Sequence, residues 1–164
     1  MPLLLRLVES KDVPSILKLI DGVYAEYGCK LDAEKEERHL LNPGAYFRLN
    51  GGEFWVVEED GTIRATVAVQ LHEDASELKS LYVHSSLRRQ GWGRRLTNLA
   101  IEHARMRRSP RMFLWSDTRF TDAHRLYRSL GFKECGYREL NDSNNSKEYG
   151  FEISLADNEK SGAT

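Results

Sequence analysis

The sequence predicts a mixed α/β domain, with about seven mostly antiparallel strands in one central sheet and about four helices against it. Its length of 164 residues is typical of a single domain. Along the chain, hydrophobic residues recur with the spacing typical of a strand in some segments and with that of a helix in others. A strand–helix–strand unit from Glu77 to Trp115 requires one parallel crossover. We expect the domain to span residues 1–156, with residues 157–164 as a disordered tail.

The first half of the chain is predicted to hold four strands and two helices. Weak apolar alternation predicts a strand at residues 3–8, and Ser10 is a candidate N-cap for the helix that follows. A short acidic helix is predicted at residues 32–41, ending at Asn42-Pro43-Gly44. Three strand-like runs follow closely enough for an antiparallel meander, at residues 53–59, 62–71 and 77–84.

The second half alternates helices and strands. Leu96, Leu99, Ala100 and His103 recur at helical spacing, and residues 111–115 form a buried-looking strand. A further helix is predicted to end at Gly131. Two strands, at residues 132–140 and 147–155, close the fold. This order predicts a mixed sheet with helices on its faces.

Composition excludes several classes of protein. With 24 basic and 25 acidic residues, the net charge of −1 predicts neither a nucleic-acid nor a membrane partner. Two separated cysteines, Cys29 and Cys135, give neither a disulfide scaffold nor a zinc motif, so we expect reduced thiols, no metal and a cytoplasmic protein. The initial apolar run stops at Arg6, so we expect no signal peptide.

A turn with two glycines joins a predicted strand to the start of a helix. In residues 81–96, Gly91 and Gly93 let the backbone approach a ligand with no Cβ in the way. The free N–H groups and the positive end of the helix dipole would then face an anion. The turn lacks the Walker A pattern and the third glycine of a dinucleotide fingerprint. It therefore predicts a phosphate-binding turn of another kind.

Arginines gather around this turn. Residues 88–111 hold eight arginines and one acidic residue, Glu102. For Arg88, Arg89, Arg94 and Arg95 we favour an anionic ligand with several phosphates. For the arginines at 105, 107 and 108 a solvated helix face suffices.

Two motifs resemble a known family. Arg88-x-x-Gly91-x-Gly93 is similar to the R/Q-x-x-G-x-G/A signature of the GCN5-related N-acetyltransferase (GNAT) superfamily. The run from Ala123 to Phe132 resembles the second block of that family, A-x-x-L-Y-x-x-x-G-F. The strand and helix order agrees over residues 3–155. The resemblance implies a GNAT fold, acetyl-CoA as cosubstrate and transfer of the acetyl group to a primary amine.

The resemblance also implies how acetyl-CoA binds. Its pantetheine arm would pair with the backbone of Leu81, Tyr82 and Val83, where two parallel strands splay apart. Its pyrophosphate would lie on the turn, whose expected binding residues are Arg88, Arg89, Gln90, Gly91, Trp92, Gly93 and Arg94. One departure stands out, because Phe120 occupies a position where many members carry an asparagine amide. Thr121 and Asp122 are candidates to replace it.

Glu77 is the first candidate for the general base. It lies 14 residues before Gly91, a spacing that matches the glutamate base of the histone-acetyltransferase branch. The alternative is a solvent-facing glutamate at a strand start. Glu53, Glu58 and His84 are rivals, and His84 could relay a proton.

Tyr127 is the candidate proton donor to the leaving thiolate, and it is also expected to touch the cofactor. The resemblance implies that its hydroxyl lies near the thioester sulfur, and the alternative is a core aromatic on its helix face. The backbone N–H of Val83 is the expected oxyanion donor.

The acceptor is not given by the sequence. Tyr24, Tyr27 and Tyr46 fall in the region that forms the acceptor pocket in this superfamily, and each could instead be core. We expect the acceptor to be a small molecule in preference to a protein. The sequence does not decide whether the chain forms a homodimer. A non-catalytic CoA-binding or regulatory module is the alternative function. A nucleic-acid binder ranks last, because only Trp92 interleaves with the basic residues.

Overall fold

The computed structural model describes residues 2–156, in which seven strands form one sheet with five α-helices and three 3₁₀ turns. The strands are β1 (Leu4–Leu7), β2 (Glu53–Glu59), β3 (Thr62–Leu71), β4 (Ser76–Val83), β5 (Arg111–Asp117), β6 (Lys133–Glu139) and β7 (Lys147–Ser154). The helices are α1 (Val13–Ala25), α2 (Ala33–Glu36), α3 (Pro43–Arg48), α4 (Trp92–Met106) and α5 (Thr121–Ser129). The predicted tail, residues 157–164, lies outside the described residues.

The strand order in the sheet is β1-β2-β3-β4-β5-β7-β6. Every neighbouring pair is antiparallel except β4 and β5, which run parallel. The predicted meander, the parallel crossover through a helix and the fold class are therefore confirmed.

Hydrophobic residues pack in two clusters, each centred on a different set of helices. One cluster joins α4 and α5 to the sheet through residues such as Leu78, Leu96 and Phe151. The other joins α1 and α3 to the sheet through residues such as Ile16, Phe47 and Phe54. Because strand side chains alternate between the two faces, the sheet supplies both clusters from the same strands.

The predicted acidic helix at residues 32–41 is wrong in its extent. It breaks into α2 and a 3₁₀ turn, Arg38–Leu41, because Glu37 adopts a non-helical backbone (φ −142°, ψ 56°). The Glu37 side chain accepts a hydrogen bond from Tyr24 of α1. A tertiary contact at the break thus competes with continuation of a short helix, which is marginal by itself. Helix α3, begun by Pro43, was not predicted.

The first helix also starts differently from the prediction. Ser10 lies inside a 3₁₀ turn, Ser10–Asp12, and α1 follows at Val13. The carboxylate of Asp12, and not the Ser10 hydroxyl, accepts the Glu9 N–H at 2.7 Å. The Asp12 carboxylate also accepts two hydrogen bonds from the Arg6 guanidinium of β1. This ion pair ties the helix start to the sheet edge.

Candidate active site

A cleft opens where the only parallel strand pair of the described sheet comes apart. β4 and β5 are in register at two positions, Ser76 opposite Met112 and Glu77 opposite Phe113. Beyond Glu77 the two strands separate, although β4 runs on to Val83 and β5 to Asp117. The edge of β4 that faces β5 is therefore open to a ligand with peptide-like groups.

A bulge in β4 decides which side chains face which side of the sheet. The pairing with β3 shifts between Lys79 and Tyr82, and Ser80 has a left-handed backbone (φ 55°). Leu78 and Leu81 pack in or against the α4 cluster, whereas Tyr82 packs against the α1 cluster. The extra residue of the bulge thus returns Tyr82 to the face that Lys79 already occupies.

The glycine turn carries a run of backbone N–H groups with no acceptor. The first helical bond of α4 is that from Arg95 N–H to Gly91 C=O, 3.0 Å. Among the hydrogen bonds of the described residues, none uses the N–H groups of residues 89–94. Arg89 (φ 62°) and Gly91 (φ 84°) are both left-handed, a conformation typical of anion-binding nests. The turn therefore fits the phosphate group that the sequence predicted.

The two glycines are needed for different reasons. Gly91 has a positive φ and open space around its Cα, so its backbone conformation favours glycine. Gly93 lies inside α4, and a Cβ there would meet Leu126 Cδ2 of α5 at 3.0 Å. Gly93 therefore permits close packing of α4 on α5.

The arginine side chains of the turn are mostly engaged within the protein. Arg88 donates to both carboxylate oxygens of Glu26, at 2.5 and 2.8 Å, and to the Val83 carbonyl at 3.1 Å. Arg94 donates to the Ser129 hydroxyl at 2.8 Å. Arg89 makes no ion pair or hydrogen bond with the described residues, so its guanidinium is free to meet a phosphate, whereas that of Arg95 lies over the Trp92 ring.

Two other predicted binding residues of the turn have contacts of their own. Trp92 is only 9% exposed and packs in the α4 cluster, with the Arg95 guanidinium 4.6 Å from its ring centroid. The side chain therefore serves packing, while its backbone N–H belongs to the run that has no acceptor. Gln90 donates its side-chain amide to the Ser86 carbonyl.

Val83 directs its backbone toward the open side of β4. The N–H of the next residue, His84, donates to the Arg64 carbonyl of β3 at 2.8 Å, and Val83 stands opposite Ala65. Successive residues of an antiparallel strand point their polar groups to opposite edges. The Val83 N–H therefore points away from β3, as its predicted role as oxyanion donor requires. That role stays a prediction.

The cleft beyond the splay has a volume of about 270 Å³ and is lined by β4, β5, α1, the α2 segment and the loop between β6 and β7. Four of the predicted site residues line it: Glu77, Leu81, Tyr82 and Tyr127. Tyr24 and Tyr27 line it too, whereas Tyr46 does not. The ring of Phe120, in place of the family amide, lies edge-on to Tyr27 at 4.9 Å between centroids.

Glu37 is a cleft residue that the sequence analysis missed. The Tyr24 hydroxyl donates to its Oε2 at 2.6 Å, and the Tyr82 hydroxyl lies 3.3 Å from that of Tyr24. Burial raises the pKa of the Glu37 carboxyl, and the Tyr24 hydrogen bond and the Lys79 charge only partly oppose this. Burial likewise raises the pKa of both phenols. A carboxylate whose pKa is raised by burial is a better proton acceptor than an ordinary surface glutamate.

Tyr127 reaches the cleft from α5. It is 5% exposed, and burial raises the pKa of its phenol. Its ring packs on Phe132 and Phe151, but its hydroxyl forms no hydrogen bond with the described residues. The ring thus belongs to the core while the hydroxyl is left for a ligand.

Glu77 sits at the closed end of the cleft, next to the last paired position of β4 and β5. Its Oε1 lies 3.0 Å from His72 Nε2, and its side chain is 15% exposed. Tyr82 lies five positions further along the strand, so the two Cα atoms are roughly 15 Å apart. Its predicted role as base stays a prediction.

The three rivals of Glu77 have structural partners. His84 Nδ1 accepts the Ser86 N–H at 3.0 Å, and burial with the nearby Arg64 and Arg88 charges lowers the pKa of its imidazole. His84 therefore caps the following 3₁₀ turn and does not line the cleft. Glu53 pairs with Arg48, and Glu58 pairs with Arg6.

Residues 2–156 lack a metal-binding cluster and a membrane-spanning helix. No group of three or more His, Cys, Asp or Glu side chains there is arranged to hold a metal ion. No helix in that part of the chain is both long and apolar enough to cross a membrane.

The family of this chain follows from a match to a known family model. A family model described as the acetyltransferase (GNAT) domain matches residues 50–134, just over half of the chain. The chain belongs to the GNAT acetyltransferase family. The matched segment of this GNAT chain runs from the turn before β2 into β6, and so includes the open edge of β4 and the glycine turn.

Relatives of this GNAT chain include named N-acetyltransferases. The uncharacterized N-acetyltransferase YjgM of Escherichia coli K12 is 28% identical over 139 residues, covering 81% of this chain and 83% of that protein. N-acetylaspartate synthetase of Rattus norvegicus is 32% identical over 115 residues, covering 69% of this chain. The match covers only 36% of the synthetase, which is a much longer protein.

Solved structures share the fold. A GNAT-family acetyltransferase from Staphylococcus aureus Mu50 superposes with a TM-score of 0.83 at 18% identity, over 94% of this chain and 99% of that one. The yncA protein of Salmonella typhimurium, solved with acetyl-CoA, gives a TM-score of 0.72 at 18% identity, over 93% and 94% of the two chains. These likenesses confirm the predicted GNAT fold.

Proposed function

We propose that this chain is an N-acetyltransferase that moves the acetyl group of acetyl-CoA to a primary amine by direct attack in a ternary complex. The observation that carries the proposal is the open edge of β4, which leads into the free N–H groups of residues 89–94. One surface thus offers peptide-like pairing followed by an anion site, the two features that a pantetheine diphosphate needs.

The residues present fit acetyl-CoA. The backbone groups of Leu81 and Val83 that face the open edge of β4 would pair with the pantetheine arm, whereas those of Tyr82 point toward β3. The N–H groups of the glycine turn would hold the pyrophosphate. Arg89 would add a free positive charge. When bound, acetyl-CoA supplies an acetyl group activated as a thioester. The Val83 N–H would stabilise the negative charge that develops on its carbonyl oxygen.

Glu37 is the carboxylate best placed to receive a proton from the acceptor. It lies beside the Tyr24 and Tyr82 hydroxyls, and Tyr127 lines the same cleft. The base and the proposed proton donor would therefore act in one cleft. Glu37 would take one proton from the acceptor ammonium and later release it to solvent. Glu77, the candidate from the sequence, is the alternative base.

Tyr127 would supply the proton to the leaving sulfur. As the amine nitrogen bonds to the acetyl carbon, the carbon–sulfur bond breaks and sulfur keeps the bonding pair. The Tyr127 hydroxyl would protonate that sulfur, and the second proton lost by nitrogen would restore the phenol. The products are the N-acetyl compound, CoA with a free thiol and one proton released to solvent.

Release of free CoA thiol from acetyl-CoA tests the proposal, with a panel of amines that includes amino acids, polyamines and peptides with free N-termini. We expect amine-dependent thiol release, equal in amount to N-acetylated product. CoA binding with no turnover on any amine would instead support the non-catalytic CoA-binding module. Absence of both binding and turnover would contradict the assignment of the cleft to acetyl-CoA.

A further inference from the structure

We infer that the acceptor is an α-amino acid, whose ammonium group binds Glu37 and whose carboxylate binds Lys79. The inference rests on the proposed function and names its substrate class. It depends on two opposite charges that line one cavity without pairing with each other.

Lys79 is a cation of the cleft with no partner. It stands just before the β4 bulge, on the sheet face that Tyr82 shares. It forms no ion pair and no hydrogen bond with any residue from 2 to 156. Its charge still acts on Glu37 and His39 across the cavity. A buried or half-buried ammonium without a counter-ion is costly unless a ligand supplies one.

Glu37 offers the complementary charge. Only its Oε2 is engaged, by the Tyr24 hydroxyl, so Oε1 is available to an ammonium group. His39 does not compete for it, because burial and the Lys79 charge lower the pKa of its imidazole to about 4 and keep it neutral. Lys79 and Glu37 therefore present a positive and a negative site to whatever enters.

The other charged groups of the cleft already have partners. Glu148 pairs with Arg138 at 2.7 Å, and Asp117 pairs with Arg119 at 3.6 Å. Three more carboxylates accept hydrogen bonds from neighbouring side chains, namely Glu36, Glu77 and Asp142. Lys79 thus has no partner within residues 2–156, and Glu37 keeps its Oε1 unused beside the Tyr24 hydrogen bond, so a zwitterion can satisfy both groups at once.

Size and charge separate an amino acid from the other amines. The cavity volume of about 270 Å³ equals roughly nine water-sized groups. That is room for the amino, Cα and carboxylate groups of an amino acid beside an acetyl thioester. A polyamine would bring its second cation toward Lys79, where like charges repel.

The test compares each free amino acid with its own α-carboxamide as acceptor. L-aspartate, L-methionine and L-phenylalanine are assayed with acetyl-CoA, and each amide keeps the amine but lacks the carboxylate charge. A charge-assisted bond of about 1.5–3 kcal/mol predicts a kcat/KM roughly 10- to 100-fold higher for at least one acid than for its amide. Equal rates for every acid and amide pair would overturn the inference, while transfer to an amine would still support the proposed function.

Variants of Lys79 test whether this residue causes the preference for the acid over its amide. Lys79→Met should bring the acid-to-amide ratio close to one, whereas Lys79→Arg should keep most of it. Lys133→Met is the matched control, because Lys133 lies on the exposed strand β6 away from the cleft. An unchanged ratio in Lys79→Met, with the melting temperature of the parent protein, would overturn the role of Lys79.

A binding measurement keeps the inference testable without turnover. Calorimetric titration of the same acids and amides into the protein saturated with CoA should give tighter binding of the acid, and Lys79→Met should remove the difference. Tighter binding of the amides would contradict the inference. Failure of CoA itself to bind would contradict the proposed function instead.

Discussion

Tyr24 donates a 2.6 Å hydrogen bond to Oε2 of Glu37, and this contact joins helix α1 to the segment in which the predicted second helix breaks. The bond holds a carboxylate in the cleft beside the hydroxyl of Tyr82. Burial raises the pKa of that carboxyl, so Glu37 combines the position and the basicity that acceptor deprotonation requires.

Glu37→Gln should lower turnover by roughly 10²- to 10⁴-fold while CoA affinity is kept, because the amide cannot take a proton. Glu37 works only when ionised, so activity should fall as pH decreases through its raised pKa. This acid limb should lie above the ordinary range of a glutamate and should be absent in the variant. A pH profile of kcat/KM measures it.

Glu77→Gln is the paired variant for that experiment. The distance of Glu77 from Tyr82 and its contact with His72 predict a smaller loss of turnover than in Glu37→Gln. If Glu77→Gln loses the acid limb and Glu37→Gln retains it, the sequence-based assignment of the base is correct and the assignment to Glu37 is wrong.

Tyr24→Phe should move the acid limb of the pH profile to higher pH. The Tyr24 hydrogen bond stabilises the ionised form of Glu37 and so lowers its pKa from the value that burial alone would give. Its removal therefore raises that pKa further, and activity is lost at a higher pH on acidification. A limb that stays in place would argue that Glu37 does not control it. Tyr46→Phe serves as control, because Tyr46 does not line the cleft.

Tyr127→Phe should reduce turnover by roughly 10²-fold with little change in CoA affinity or melting temperature. The ring contacts with Phe132 and Phe151 stay, and the lost hydroxyl has no partner within the described residues. A structural tyrosine would lose stability and rate together. Full activity of the variant would remove Tyr127 from the mechanism. Steady-state kinetics and thermal unfolding on the same preparation separate these outcomes.

Valine variants at the two glycines of the turn should respond differently to a second substitution, Leu126→Ala. Gly93→Val should destabilise the protein by about 1–3 kcal/mol because its side chain meets Leu126. Gly91→Val should cost about 1–2 kcal/mol through its left-handed backbone. Adding Leu126→Ala should recover part of the loss in Gly93→Val and none in Gly91→Val. Equal recovery in both, measured by denaturant unfolding, would contradict the separate roles.

The fold could be predicted from the sequence because its signals are local. Strand and helix periods, the glycine turn before α4 and the stop at Gly131 each depend on neighbouring residues. The helix break at Glu37 could not be predicted this way, because its cause is a contact with Tyr24, 13 positions earlier in the chain. The periodic pattern of a short acidic helix carries no trace of it.

The candidate site likewise has features that the sequence predicts and features that it does not. The motif residues predicted a phosphate-binding turn after an open strand edge, and the structure has an open edge of β4 and unpaired N–H groups at residues 89–94 there. The side-chain contacts of Arg88 and Trp92 were not foreseeable, since Glu26 and the core are their partners. Lys79 and Glu37 belong to no motif. Both line one cavity because Lys79 lies on the sheet face that Tyr82 shares and because Tyr24 of α1 holds the Glu37 carboxylate.

Hydrogen exchange of the backbone amides, with and without CoA, tests most directly the assignment of the cleft between β4 and β5. We predict that CoA slows exchange in two segments, residues 78–83 of β4 and residues 89–94 of the glycine turn. Neither segment of amides is fully paired in the free protein. Protection confined to other surfaces, or no protection at saturating CoA, would contradict the account of this cleft as the acetyl-CoA site.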